Sequence, residues 1–262
     1  MTEENTTIKE DSVDGPPRIS FATFLLKILA GGVGGSGGAV ILILIFFLAS
    51  SVLTGEVSET GTSPIFTFVL MMMVFLASTI GNILSIWLLS LTESDRYKRV
   101  SSAIYQTFIL SIIVFLLMVP VYFITASTID LTAFAVGLHI VLSAQASALI
   151  LEIVSDYKYS LVGLYGITFS ILVSTGVLMF LARLTPSPQI LLFIALPIVW
   201  GSIGFVGSTV SAFYGWLART YDKDFLCTQT LYGKDYGKEV EDDVEEAPKA
   251  DDEAGADFLR HN

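Results

Sequence analysis

Few side chains in this sequence have the type and setting for acid–base chemistry, and they are widely spaced. His139 lies in a run from 131 to 151 without a formal charge, with Ser143 one helical turn further on. Histidine titrates near neutral pH, so one held in an apolar segment is a candidate proton carrier. No second ionisable residue shares its depth, and the expectation is a neutral imidazole hydrogen-bonded to a neighbour. Glu152 closes the same run, and Gln145 lies seven residues before it on the same helical face. His139 points roughly a quarter-turn or more away from that face. Asn82 and Ser85 fall in an uncharged run from 60 to 92, and Gln106 in one from 100 to 129. Counted back from the polar segments that end these runs, Asn82, Gln106 and Glu152 are at similar depth and are predicted to meet in one polar cluster.

Residues 31–38 read GGVGGSGG, in which Gly32, Gly34 and Gly37 match G-x-G-x-x-G. That fingerprint cradles a pyrophosphate only between a strand and a helix of a βαβ unit. Here it leads into AVILILIFFLASSVL with no second strand after it, and no G-K-[ST] is present. A nucleotide site is therefore not expected. Gly31 and Gly35 are four apart, as are Gly34 and Gly38, the spacing that lets two helices approach closely. Gly204, Ser208, Ser211 and Gly215 make a similar stripe in PIVWGSIGFVGSTVSAFYG, and Gly163, Gly166, Ser170 and Ser174 another. The apolar run from Phe21 to Leu53 contains Lys27 and spans about 50 Å as a helix, more than one upright crossing needs. Six glycines in eight positions weaken a helix by about 1 kcal/mol each relative to alanine. The expectation is a break near the glycines, with an interfacial helix over about 20–30 and the span after it. An unwound segment there would be a candidate transport site. Leu42 is expected on a lipid-facing or tolerant side.

No H-E-x-x-H, paired intramembrane aspartates or metal-spaced Cys/His cluster occurs, and no signature joins His139 to Ser202 or Ser208 as a serine nucleophile would require. The chain is not expected to be an enzyme, and no cofactor is implied. Cys227 is the single cysteine, so no internal disulfide forms; it reads as a juxtamembrane thiol.

The elements that position these residues follow from charge spacing. Mean hydropathy is +0.71, and charged residues make up 15% of the chain. Runs without charge cover 28–55, 60–92, 100–129, 131–151, 159–182 and 184–218. Each is long enough to cross a hydrocarbon core, which takes about 20 apolar residues. The fold class is thus all-α, a polytopic bundle of six transmembrane helices near 30–54, 65–91, 101–125, 131–154, 160–183 and 189–216. The first apolar segment is too long for the core of a cleaved signal peptide and is expected to be retained.

The net charge of −11 sits in the tails. Residues 1–19 hold two bases and five acids, residues 20–217 six and seven, and residues 218–262 six and thirteen. These are the three expected domains: an acidic N-terminal tail, the six-helix body, and an acidic C-terminal tail too poor in apolar residues to order itself. Phe258 and Leu259 form a small apolar pair near its end. Arg96, Lys98 and Arg99 crowd the 92–100 loop, Lys158 the 155–159 loop, and Arg219 and Lys223 the exit; TGEVSETGTSP and ASTID on the other side hold no base. Bases are retained on the cytoplasmic side, which puts both termini there, in a plasma or inner membrane. Trp200, mid-span, is expected to pack against other helices.

The expected role is a non-enzymatic scaffold, assembly factor or subunit of a membrane complex. Its expected partners are the bilayer, other membrane proteins or a second copy through the glycine faces, and a cytoplasmic partner for the acidic tail, but no nucleic acid. A permease or channel for a small solute or ion is the alternative.

Overall fold

The structure is a computed structural model and describes residues 19–53, 57–58, 61–92, 97, 99–155, 160–184 and 188–221. Both tails up to residue 18 and from 222, with Cys227, Phe258 and Leu259, lie outside them, as does Lys158. Six long helices follow one another: α1 (Phe21–Leu53), α2 (Pro64–Thr92), α3 (Val100–Thr125), α4 (Ile129–Ser155), α5 (Ser160–Leu184) and α6 (Pro188–Tyr221). All six are long and apolar enough to cross a membrane. A small antiparallel pair, β1 (Val57–Ser58) and β2 (Gly61–Thr62), joins α1 to α2. Long apolar runs form helices because only intrahelical bonds satisfy every backbone group where water is scarce.

The starts of α1, α2, α4 and α6 are written in hydroxyls and prolines. The Thr23 N–H donates to Ser20 Oγ at 3.0 Å, Phe66 N–H to Ser63 Oγ at 3.1 Å, and Leu131 N–H to Thr128 Oγ1 at 3.3 Å. Each closes a donor that the first turn would leave open. Pro188 begins α6, and Pro64 begins α2 just after its capping serine, the position where proline has no helical bond to lose.

Three inner helices carry the core and three outer ones cover it. In the most apolar stretches of α2, α4 and α6, 56%, 56% and 44% of residues are buried, against 33%, 28% and 22% in α1, α3 and α5. The outer helices each seat against two inner ones: α1 against α2 and α6, α3 against α2 and α4, α5 against α4 and α6. The main core runs through Met71, Val74, Ile86, Tyr122, Val136, Ile140, Leu196 and Trp200.

The break expected in the first span does not occur. α1 is one continuous helix of 33 residues, glycines included, and there is no separate interfacial segment over 20–30. The physical reason lies in what the glycines touch. A Cβ on Gly31 would strike the Trp200 carbonyl, and one on Gly35 would lie 2.6 Å from the Leu196 carbonyl oxygen, both on α6. On the next face, a Cβ on Gly34 would strike the Ser85 backbone, and one on Gly38 would lie 2.7 Å from the Ala77 carbonyl oxygen and 2.8 Å from Gly81 Cα, both on α2. The two spacings of four thus serve two different neighbours, and tertiary contact overrides weak local propensity. Leu42 is a further correction: it is buried in the core, 4% exposed.

Candidate functional site

Polar side chains gather at two places. The first is mid-bundle. Asn82 on α2 donates from Nδ2 to Ser143 Oγ on α4 at 2.7 Å, and Trp200 Nε1 on α6 donates to Asn82 Oδ1 at 2.9 Å. Ser85, one turn along α2, donates to the Gly31 carbonyl of α1 at 3.4 Å. Asn82, Ser143, Ser85 and Trp200 are all buried. A side-chain amide offers both donor and acceptor, so one residue ties the three inner helices together. The geometry engages both ends of the amide in holding helices together.

Two smaller pairings extend it. Gln145 on α4 accepts from Ser170 Oγ at 2.8 Å and donates from Nε2 to Ser174 Oγ at 3.4 Å, fastening α4 to α5. His139 Nδ1 lies 3.2 Å from Tyr122 Oη on α3, with the rings edge to face at 5.9 Å. His139 and Tyr122 are both buried. Tyr122 is thus a core residue.

The second place lies at the end of the bundle that carries the 92–100 loop. Tyr97 donates from Oη to Glu152 Oε1 at 2.7 Å. Around them, Lys27 of α1, Gly163 of α5 and Ser208 and Ser211 of α6 help line a cavity of about 30 Å³. Lys27 is buried, 5% exposed. Glycine makes this room: a Cβ at Gly163 would overlap the Glu152 side chain, whereas one at Gly207, also in the lining, meets nothing within 4 Å. Gly204, one turn before Ser208 and also in the lining, brings α6 onto the α1 backbone at Lys27 and Ile28. The chemistry here is that of an ammonium, a carboxylate, a phenol and hydroxyls about a space of water size.

The cluster expected of Asn82, Gln106 and Glu152 does not form. Asn82 belongs to the mid-bundle network and Glu152 to the pocket, and Gln106 is exposed on α3. Helical depth was similar, but depth does not say which way a side chain turns. The stripe Gly204, Ser208, Ser211 and Gly215 is buried along α6. Lys27 and Tyr97 were missed as site residues. Lys27 was visible as a lone lysine inside an apolar run, and Tyr97 sat among loop bases with nothing to aim it at Glu152.

No known protein family, curated protein or solved structure matches the chain. The class is set by the helices alone, six apolar spans consistent with a multi-pass helical membrane protein.

Proposed function

We propose that this protein is a non-enzymatic membrane component, a scaffold, assembly factor or subunit that works through its outward surfaces. The observation that carries this reading is the use of the interior: the glycine faces of α1 and the amides of Asn82 and Gln145 are spent on holding the chain's own helices together. Contacts with partners then fall to the exposed sides of the outer helices and to the acidic stretch 218–262, suited to a basic partner. In this reading both termini are cytoplasmic, on the strength of the base-rich 92–100 loop. Single cysteines at Ser58 and Ser127 in a Cys227-free chain then react with an impermeant maleimide on intact cells, and those at Ser94 and Ser155 do not; the reverse pattern overturns the orientation.

A second reading, a permease for a small solute or ion, draws on the Lys27–Tyr97–Glu152 pocket, since charged groups among apolar helices mark pathways in many membrane proteins. Purification from native membrane in mild detergent separates the two. A stoichiometric partner set supports the first. Flux through liposomes holding the purified chain alone, lost in Glu152→Gln, sinks it and supports the second.

A further inference from the structure

The cavity beside Glu152 contains a group that helix packing leaves unexplained. Ser208 is fully buried, lines the cavity, and its Oγ has no hydrogen-bond partner. Among the described residues three other buried hydroxyls share that condition, Ser78, Thr79 and Thr107, but none of them lines this space. The large majority of buried polar side-chain atoms in folded proteins are satisfied by protein or by ordered water. A cavity holds a water when it offers about 10–15 Å³ of accessible room and two to four polar partners. This one has about 30 Å³ with Lys27, Tyr97, Glu152, Ser208 and Ser211 in its wall.

Charge decides what kind of guest belongs there. The lining brings an ammonium and a carboxylate to the same space. A bare cation would be repelled by the first and an anion by the second. A neutral molecule that both donates and accepts satisfies each, and about 30 Å³ is room enough for water. We propose that this pocket is a built water site, holding roughly one or two molecules that bond to Ser208 Oγ and join it to the Lys27–Tyr97–Glu152 group. This rests on neither reading of the function.

The test combines a map and one variant, both on the full-length protein. A density map of the wild type that shows ordered waters elsewhere in the bundle is expected to show a peak within hydrogen-bond distance of Ser208 Oγ. Ser208→Ala is expected to lose that peak and to melt about 2–4 °C lower in detergent, the shift of one lost hydrogen bond in a chain of this size. An empty cavity in such a map overturns the proposal. So does an unchanged or raised melting temperature in Ser208→Ala, because removing an orphan hydroxyl from a dry void relieves a cost. The wild-type map decides the question alone if the variant cannot be purified.

Discussion

At mid-bundle, Asn82 sits between Ser143 and Trp200 with both ends of its amide engaged, and Gly31, Gly34, Gly35 and Gly38 press the backbone of α1 onto its neighbours. At the end near Tyr97, Glu152, Lys27 and Ser208 surround a space, and Gly163 stands where a side chain would collide with the carboxylate. The residue types are much the same in the two regions. Glycine opposite backbone removes space, and glycine opposite a long polar side chain creates it. Serine and amide groups act as glue where they find partners, whereas Ser208, which finds none, borders the open space. A small-residue stripe therefore has no single meaning until its neighbour is known.

The largest effects should come from the closed region. A Cβ at Gly34 or Gly35 meets backbone atoms of Ser85, or of Leu196 and Pro197, which cannot move aside as a side-chain tip can. Gly34→Ala and Gly35→Ala are each expected to destabilise by about 1–3 kcal/mol, the cost of overpacking. Gly32 lies in the same stretch, but a Cβ there meets nothing within 4 Å. Gly32→Ala should instead stabilise by up to about 1 kcal/mol through helix propensity. Melting in detergent reads all three, and equal signs would mean that α1 does not seat as described. Leu42→Ala is no neutral control, since Leu42 lies in the core.

Next in size is the amide. Asn82→Leu removes two interhelical hydrogen bonds and strands the Trp200 Nε1 donor. Intramembrane bonds contribute about 0.6–1.7 kcal/mol each, so the pair should cost about 1–3 kcal/mol. Tyr97→Phe, at the open region, removes one bond to a half-buried carboxylate beside a cavity. Its loss of melting temperature should be clearly smaller. A Tyr97→Phe effect as large as that of Asn82→Leu would erase the contrast between glue and site.

The helices themselves were legible in the sequence because charge spacing alone marks where a chain can run through lipid. The expected spans near 65–91, 101–125 and 160–183 differ from α2, α3 and α5 by a residue or so at each end. Which helices are inner was not legible. Every span is apolar on all sides, so periodicity, which separates core from solvent in a water-soluble helix, carries little information when both neighbours and lipid are apolar. The site was legible in parts. Asn82, Ser143, Gln145, Glu152 and Ser208 stood out as polar residues in apolar runs. Their grouping was not, because it depends on helix rotation: one wheel position sends Gln106 outward, while its neighbour Thr107 is buried. The continuity of α1 was hidden for a related reason. Six glycines argue for a break only when nothing packs on them, and their partners lie about forty to fifty residues away on α2 and more than 150 away on α6.

The smallest expected effect, and the one that places His139 on one side of the comparison, concerns its bond to Tyr122. The pair is buried and mutually hydrogen-bonded, which is the closed pattern of Asn82 and not the open pattern of Glu152. If the histidine is glue, His139→Gln should melt close to wild type, because glutamine still donates and accepts. His139→Leu and Tyr122→Phe should each cost about 0.6–1.7 kcal/mol, and the double variant should cost little more than either alone, since both remove the same bond. None of these losses should vary with pH between 5 and 8, roughly the interval over which an ordinary histidine titrates. Costs that add in the double variant would show that the two side chains act separately. A pH-dependent flux that disappears in His139→Gln while its melting temperature stays at the wild-type value would move His139 to the other side, as a proton carrier, and give the permease reading its first residue outside the Glu152 pocket.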